Sequence, residues 1–263
     1  MKNLLKTHKR SFEVGIVEHC NLNCKGCAHF SPLSEKHFMD IATYSNDVQR
    51  LRDILDDLVK RIHIMGGEPL LHPKIDEFLK VTRIYFPKAK IKLVTNGALY
   101  KKMNESFWQS CRENKIIITP TRYPCDIDYN VFRKVARKNG VKFRYYYNFF
   151  RRTKKLDKYP LDAQGKQDVN TSFKRCKERC TTLRDGKLFT CPTAAYISIF
   201  NEYFDENFCV ATDDYIDIYA DINKTEILHR LAQPIPFCKY CKVREIERGL
   251  PWAISERKKS EWV

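Results

Sequence analysis

No stretch of the 263 residues holds the ~18 to 20 consecutive apolar residues that a membrane-spanning helix needs. The basic start, Met1 to Arg10, is not followed by an apolar signal segment with a small-residue cleavage site. A cytoplasmic protein without a membrane partner is therefore expected. The turns after the first strand-like segments lack the G-x-G-x-x-G pattern of a dinucleotide-binding loop. There is no internal repeat and no low-complexity tract, which excludes a solenoid or a repeat array. Acidic residues are few, 32 against 48 Lys and Arg, leaving a formal net charge of +16. That excess fits either a solvated basic surface or an anionic partner, and charge alone does not choose among a nucleotide-sugar, a phosphorylated small molecule, nucleic acid or a membrane surface.

What is present narrows the field. The chain is 43% hydrophobic, enough to bury one large domain, or a domain of about 200 residues with a small appendage. It has 11 cysteines. With no secretion signal, disulfides are not expected, and clustered thiols point to metal binding instead. They fall into two groups: Cys20, Cys24 and Cys27, then Cys176, Cys180, Cys191, Cys238 and Cys241. Cys111, Cys125 and Cys209 stand apart and are expected to be buried, inert thiols.

Hydrophobic spacing alternates between periods of two and 3.6 along the first half. Strands are expected at 12–17, 61–65, 91–94, 116–119 and 141–147. Helices are expected at 44–58, at 75–85 before Pro87, after an Asn104 cap, and from 131 to the Asn139-Gly140 stop. Strands separated by single helices form parallel βαβ units, so the fold class is α/β, either a barrel, a partial barrel or an open doubly wound sheet. Chemistry in such folds sits at the C-terminal strand ends. Cys20 follows the first strand, Gly66-Gly67-Glu68-Pro69 the second and Thr95-Asn96-Gly97 the third. A basic linker is expected from residue 151 to the second cysteine group. A hairpin over 181–190 should turn at Asp185-Gly186, with a weak helix near 222–231.

Cys20-x3-Cys24-x2-Cys27 places three soft thiolates on one loop. A structural zinc site uses four ligands, and His29 is the local candidate for a fourth. A cubane held by three thiolates keeps one iron open. On these residues, with Gly66 to Pro69 and Thr95 to Gly97, residues 12–147 resemble the radical SAM superfamily. The resemblance implies a partial (β/α)6 TIM-like barrel. It also implies a [4Fe–4S] cluster on Cys20, Cys24 and Cys27, with S-adenosyl-L-methionine (SAM) on its open iron. Gly66, Gly67, Glu68 and Pro69 would bind the methionine amino group, and Thr95, Asn96 and Gly97 would lie near the ribose. Cleavage of SAM would give a 5'-deoxyadenosyl radical that abstracts a substrate hydrogen. One departure is Gly26, where the family usually has an aromatic residue against adenine; His29 or Phe30 is expected to take that part.

The second group resembles the twitch domain, a shortened SPASM domain, in which C-x9-15-G-x4-C and a later C-x2-C hold one auxiliary [4Fe–4S] cluster. Gly186-x4-Cys191 and Cys238-x2-Cys241 match. Spacing makes Cys176 the first ligand. The hairpin register instead puts Cys180 across from Cys191, with Cβ atoms about 5 Å apart. Cys176 is preferred and Cys180 kept; a structural zinc on the same thiols is the alternative. The implied division is a core over 1–150, a linker over 151–175 and an auxiliary-cluster unit of hairpin plus helix over 176–263.

Size and cysteine layout look most like the superfamily's aminocyclitol (2-deoxy-scyllo-inosamine) dehydrogenases of butirosin biosynthesis, and like members from polysaccharide loci. The resemblance implies oxidation of an alcohol on a sugar, cyclitol or nucleotide-sugar, with flavodoxin or ferredoxin as electron donor. Tyr145, Tyr146, Tyr147, Phe149 and Phe150, among basic residues, could line its pocket. Alternatives are an epimerase, with Cys125 or Cys209 returning hydrogen, a peptide-modifying enzyme, and a zinc-bearing nucleic-acid-binding protein. Nucleic acid is not the expected partner.

Overall fold

The computed structural model describes residues 10–146, 155–176 and 180–263. Four βα steps and a fifth strand open the described fold. Strand β1 (Ser11–Gly15) leads to helix α1 (Ile41–Leu55), then β2 (Arg61–Met65), α2 (Ile75–Tyr85), β3 (Lys90–Thr95), α3 (Glu105–Glu113), β4 (Ile117–Pro120), α4 (Tyr129–Lys138) and β5 (Lys142–Phe143). The expected caps set these helices. Asn104 accepts the Phe107 N–H at 3.0 Å, and Gly140, at φ +67°, follows the end of α4. Asp40 and Asp128 cap α1 and α4 in the same way as Asn104.

The second half contains β6 (Leu156–Lys158), α5 (Val169–Arg175), β7 (Thr181–Arg184), β8 (Lys187–Phe189), α6 (Pro192–Phe204), β9 (Tyr215–Asp217), α7 (Lys224–Arg230) and β10 (Glu247–Leu250). The main sheet has eight strands in the order β5-β4-β3-β2-β1-β7-β8-β9. All pairs from β5 to β7 are parallel, and β8 and β9 are antiparallel additions. The α/β partial-barrel fold is thus present, with a particular source for its sixth parallel strand. That strand is β7, the first arm of the hairpin, and it lies on the far side of β1. The hairpin turns at Asp185 and Gly186, with φ of +50° and +70°, the geometry of a two-residue type I′ turn.

Three further differences from the sequence reading have local causes. The fifth strand is two residues long. The stretch expected as a bare linker contains β6, which pairs antiparallel with β10, and α5, capped by Asp168 onto the Thr171 N–H; its lysines had hidden both. Helix α6 was not anticipated, because Pro192 to Phe204 is apolar on most sides and shows no amphipathic period.

Alternation along the strands separates two faces. Phe12, Val14, Ile62, Ile64, Ile91 and Leu93 are buried against α1 to α4 in one core. The opposite, concave face bears Glu13, paired in register with His63, which is paired with Lys92. A second core forms under α6, where Phe200, Phe208, Phe237 and Trp262 enclose Phe30 from the first cysteine loop. Among the described residues no helix is long and apolar enough to cross a membrane.

Candidate active site and second thiol group

Three loops meet beyond the C-terminal ends of β1, β2 and β3. The first and second are stitched backbone to backbone: Gly67 N donates to Val17 O at 2.7 Å and Glu68 N to His19 O at 3.1 Å. This approach explains the glycines. A Cβ on Gly66 would lie 2.2 Å from Val17 O, and one on Gly67 2.0 Å from His19 O. They make room for the backbone leading into Cys20.

The second and third loops are joined by Glu68, which is fully buried. Its Oε1 accepts from Leu70 N at 3.1 Å and Thr95 Oγ1 at 2.5 Å, and its Oε2 accepts from Asn96 N at 2.8 Å. Burial raises its pKa to about 7, against the pull of those three donors. Asn96 closes the triangle. Its Nδ2 donates to Asn21 Oδ1 at 2.7 Å and lies 3.7 Å from Cys20 Sγ. Pro69 opens a short 3-10 turn capped by Glu68, and Gly97 takes φ +82° against Phe132.

The Cys20 thiol is pushed up to about 12, first by burial, then by the Glu68 carboxylate and the neighbouring thiols. The two residues expected to take the part of an aromatic at position 26 pack toward the second core and α6. Phe30 is wholly buried in the second core, with φ +53°, and His29 packs edge-to-face on Tyr196 at 4.8 Å. The aromatic residues beside the triad are ones the sequence reading missed. Trp252 Nε1 donates to Cys24 Sγ at 3.1 Å, and Tyr123 meets the Trp252 ring edge-on at 6.1 Å. The Tyr123 hydroxyl is held neutral by burial and then by the three nearby thiols. No periodicity or spacing links these positions to the cysteine motif.

On the concave face, Glu13 Oε1 lies 3.5 Å from His63 Nδ1 and accepts from the Tyr146 hydroxyl at 3.4 Å. The His63 contact is long for a hydrogen bond, and among the described residues neither ring nitrogen of this histidine has a well-formed one. Burial works to raise the Glu13 pKa; His63, His29 and the Cys180 thiol outweigh it, and the net shift is downward. Lys92 is shifted down by burial and by Arg61, Arg144 and Lys90, so several cations converge there. Tyr145 stacks under Arg122 at 4.5 Å. Tyr147, Phe149 and Phe150, expected to contribute to a pocket, lie outside the described residues.

In the second half, Cys176, Cys191, Cys238 and Cys241 line one cavity together with Phe173, Ile235 and Phe237. Cys176 follows α5, Cys191 caps α6 and Cys238 lies on the short turn before Cys241. Ser172 Oγ donates to Cys241 O at 3.1 Å, tying α5 to that turn. Cys191 is pushed up to about 12 by burial; N–H groups at the start of α6 pull it down, and the Cys176 and Cys238 thiols push it up. Cys241 is raised by burial and by the other three thiols. Cys180 is not among them: its thiol lies with the Glu13 carboxylate, whose pKa it helps to lower. Strand alternation explains this, because Cys180 shares the face of Thr182, which is in register with Glu13. Cys111 is buried as expected, whereas Cys125 is half-buried and Cys209 exposed. Among the described residues no three His, Cys, Asp or Glu side chains are arranged to hold a single metal ion; the four thiols of the second group ring a cavity instead.

A parallel α/β sheet whose C-terminal strand ends gather a three-thiol loop, a buried carboxylate and two glycine loops defines a class of metallocluster enzyme. The chain belongs to the radical SAM superfamily, whose family model matches residues 14–155. GTP 3',8-cyclase of Helicobacter pylori (strain ATCC 700392 / 26695) is 36% identical over 90 residues, 34% of this chain and 28% of that protein. The GTP 3',8-cyclase of Aliarcobacter butzleri (strain RM4018) is 26% identical over 181 residues, 65% of this chain and 53% of that protein. The chain thus spans about a quarter to a half of the length of these relatives. The crystal structure of BtrN in complex with AdoMet and 2-DOIA superposes with a TM-score of 0.51 at 22% identity, covering 89% of this chain and 92% of that one. It shares the fold. Membership of the superfamily implies a [4Fe–4S] cluster and SAM, and the soft thiol donor set on the first loop fits such a cluster.

Proposed function

We propose that the chain oxidises an alcohol of a sugar, cyclitol or nucleotide-sugar to a ketone by radical chemistry. In this reading Cys20, Cys24 and Cys27 hold the SAM-binding cluster, with Gly66 to Pro69 and Thr95 to Gly97 placing SAM. The observation that supports it most is the Glu68 carboxylate, which binds the third loop to the second while Asn96 reaches the Cys20 loop. When bound, the cluster and SAM supply a 5'-deoxyadenosyl radical that removes one hydrogen atom from the substrate.

Turning a secondary alcohol into a ketone removes a hydrogen atom, a proton and an electron. The hydrogen atom goes to the radical. The Glu13–His63 pair would take the hydroxyl proton, since the two groups lie side by side on the concave face and, among the described residues, the His63 ring nitrogens have no well-formed hydrogen bond. Cys176, Cys191, Cys238 and Cys241 would hold an auxiliary [4Fe–4S] cluster as acceptor of the electron, and their number and apolar surroundings suit one. Flavodoxin or ferredoxin would supply the electron that starts the cycle.

A second reading keeps the same radical chemistry and changes the substrate. The relatives named GTP 3',8-cyclase and the convergence of Lys92, Arg61, Arg144 and Lys90 favour a phosphate-bearing nucleotide. The test is anaerobic reconstitution followed by metal analysis and assay of 5'-deoxyadenosine. Wild type should hold about eight irons and a Cys20/Cys24/Cys27 triple Ala variant about four, with SAM cleavage lost. Stoichiometric zinc without iron, or SAM cleavage by the triple variant, overturns the reading. Candidate alcohols and nucleotides are then compared by the extra 5'-deoxyadenosine each one elicits.

A further inference from the structure

The first cysteine loop has a partner at the other end of the chain. Lys25 N donates to Ala253 O at 2.9 Å and Ser255 N to Asn23 O at 2.7 Å. Between them Cys24 and Ile254 form an antiparallel bridge. Farther on, Trp262 Nε1 donates to Cys27 O at 3.0 Å. The segment is itself organised by the buried Glu261, whose carboxylate accepts from Ser255 Oγ and Glu256 N at 2.7 Å each. Gly26, at φ +63°, passes beneath it. Residues 252–262 therefore form a strap along the loop from Asn23 to Cys27.

One contact of this strap reaches a sulfur. Trp252 Nε1 donates to Cys24 Sγ at 3.1 Å, while the Trp252 ring is steadied edge-on by Tyr123. An indole N–H is a donor with no acceptor capacity, so this contact favours a thiolate over a thiol. Hydrogen bonds to ligand sulfurs are among the features that set iron–sulfur potentials. Reduction adds negative charge that the thiolates share, and an N–H aimed at one of them stabilises the reduced form more than the oxidised one.

We propose that Trp252 is a positioning residue that raises the reduction potential of the cluster held by the triad, through its N–H to Cys24. The inference rests on reading Cys20, Cys24 and Cys27 as cluster ligands. A strap serving only to cover the loop would need the bulk of Trp252 and not its N–H.

The test separates bulk from hydrogen bond. Wild type, Trp252→Phe and Trp252→Ala are reconstituted anaerobically, checked for iron and titrated against redox mediators. The triad's EPR signal is identified as the one that changes when SAM is added. Trp252→Phe keeps the ring and should show about tenfold less reduced cluster at a fixed poise, ~59 mV for a one-electron couple. Trp252→Ala should shift at least as far. An iron-loaded Trp252→Phe protein with the wild-type potential overturns the proposal. A measurement on wild type needs no variant: the reduced triad cluster should show coupling to an exchangeable indole deuteron in 15N-indole-labelled protein, and its absence also overturns the proposal. Wild type that takes up no iron fails the cluster reading itself, a result distinct from either.

Discussion

Glu68 and Asn96 lie 28 positions apart in sequence and share one short hydrogen bond, Asn96 N–H to Glu68 Oε2 at 2.8 Å. Through it a buried carboxylate fixes the loop after β3 to the loop after β2. Asn96 then hands that placement on to the cysteine loop through Asn21. Replacing Glu68 with Ala leaves three donors, from Leu70, Thr95 and Asn96, without their acceptor. The variant should lose about 2–4 kcal/mol of stability by chemical denaturation. It should bind SAM at least about tenfold more weakly by equilibrium titration, since misplaced loops weaken a preorganised site.

The same carboxylate gives the metal-free protein a pH dependence. Its folded pKa is about 7 against an ordinary 4.5. Between those values the folded chain keeps a proton that the unfolded chain has released. This group's contribution to stability is therefore fully present below about pH 4.5 and falls as pH rises toward 7. Urea unfolding of metal-free protein across that range should show the fall, and Glu68→Gln, which cannot ionise, should flatten it. An unchanged slope in the Gln variant would show that other groups set it.

Gly67 is intolerant for a reason of space. Its Cβ would lie 2.0 Å from a backbone oxygen, that of His19, one residue before Cys20. Gly67→Ala must push the cysteine loop aside. It should reduce iron retained at the triad by more than half while leaving helical circular dichroism near wild type, because the helices pack on the other face of the sheet. Iron analysis beside the spectrum checks both parts.

Cys176 and Cys180 should separate cleanly. Cys176→Ser is expected to lower reconstituted iron from about eight to about four per chain. Cys180→Ser should leave the count unchanged, since its thiol lies with Glu13 outside the four-thiol cavity. The opposite pattern would restore the hairpin-register choice.

Glu13→Gln and His63→Ala should lower substrate oxidation by about 10²- to 10⁴-fold, the usual range for a positioned acid–base group. Cleavage of SAM without substrate should persist, because neither residue belongs to the three loops at the triad. Comparing 5'-deoxyadenosine with ketone product measures that uncoupling. Equal loss of both would move the pair from proton transfer to a structural part.

Much of the first half was legible because its signals are local. A period of two followed by 3.6, a capping Asn104 and a stop at Asn139-Gly140 each act within a few residues, and β2 and α2 fall where their apolar spacing puts them. The motif loops were legible for the same reason, as each follows its own strand directly. Helix α6 was missed because a helix buried on most sides has no polar face to reveal its period. Strand β6 and helix α5 were masked by the lysines and arginines around them, since a half-exposed element can be formed of charged residues when partners elsewhere cover its other side.

By itself the sequence determined which residues are the candidates for the chemistry: three thiols at C-x3-C-x2-C spacing, two glycine loops and a second set of cysteines. Tertiary structure decided how they are shared out. Spacing and hairpin register each nominated a different cysteine. Strand alternation turned Cys180 toward Glu13, and the end of α5 carried Cys176 to Cys191, Cys238 and Cys241. The same holds for Trp252, which meets Cys24 across 228 positions of sequence. Contacts at that separation arise from the packing of a whole chain, where burial of Phe30 and Trp262 in one core brings the two ends together, and no local pattern encodes them.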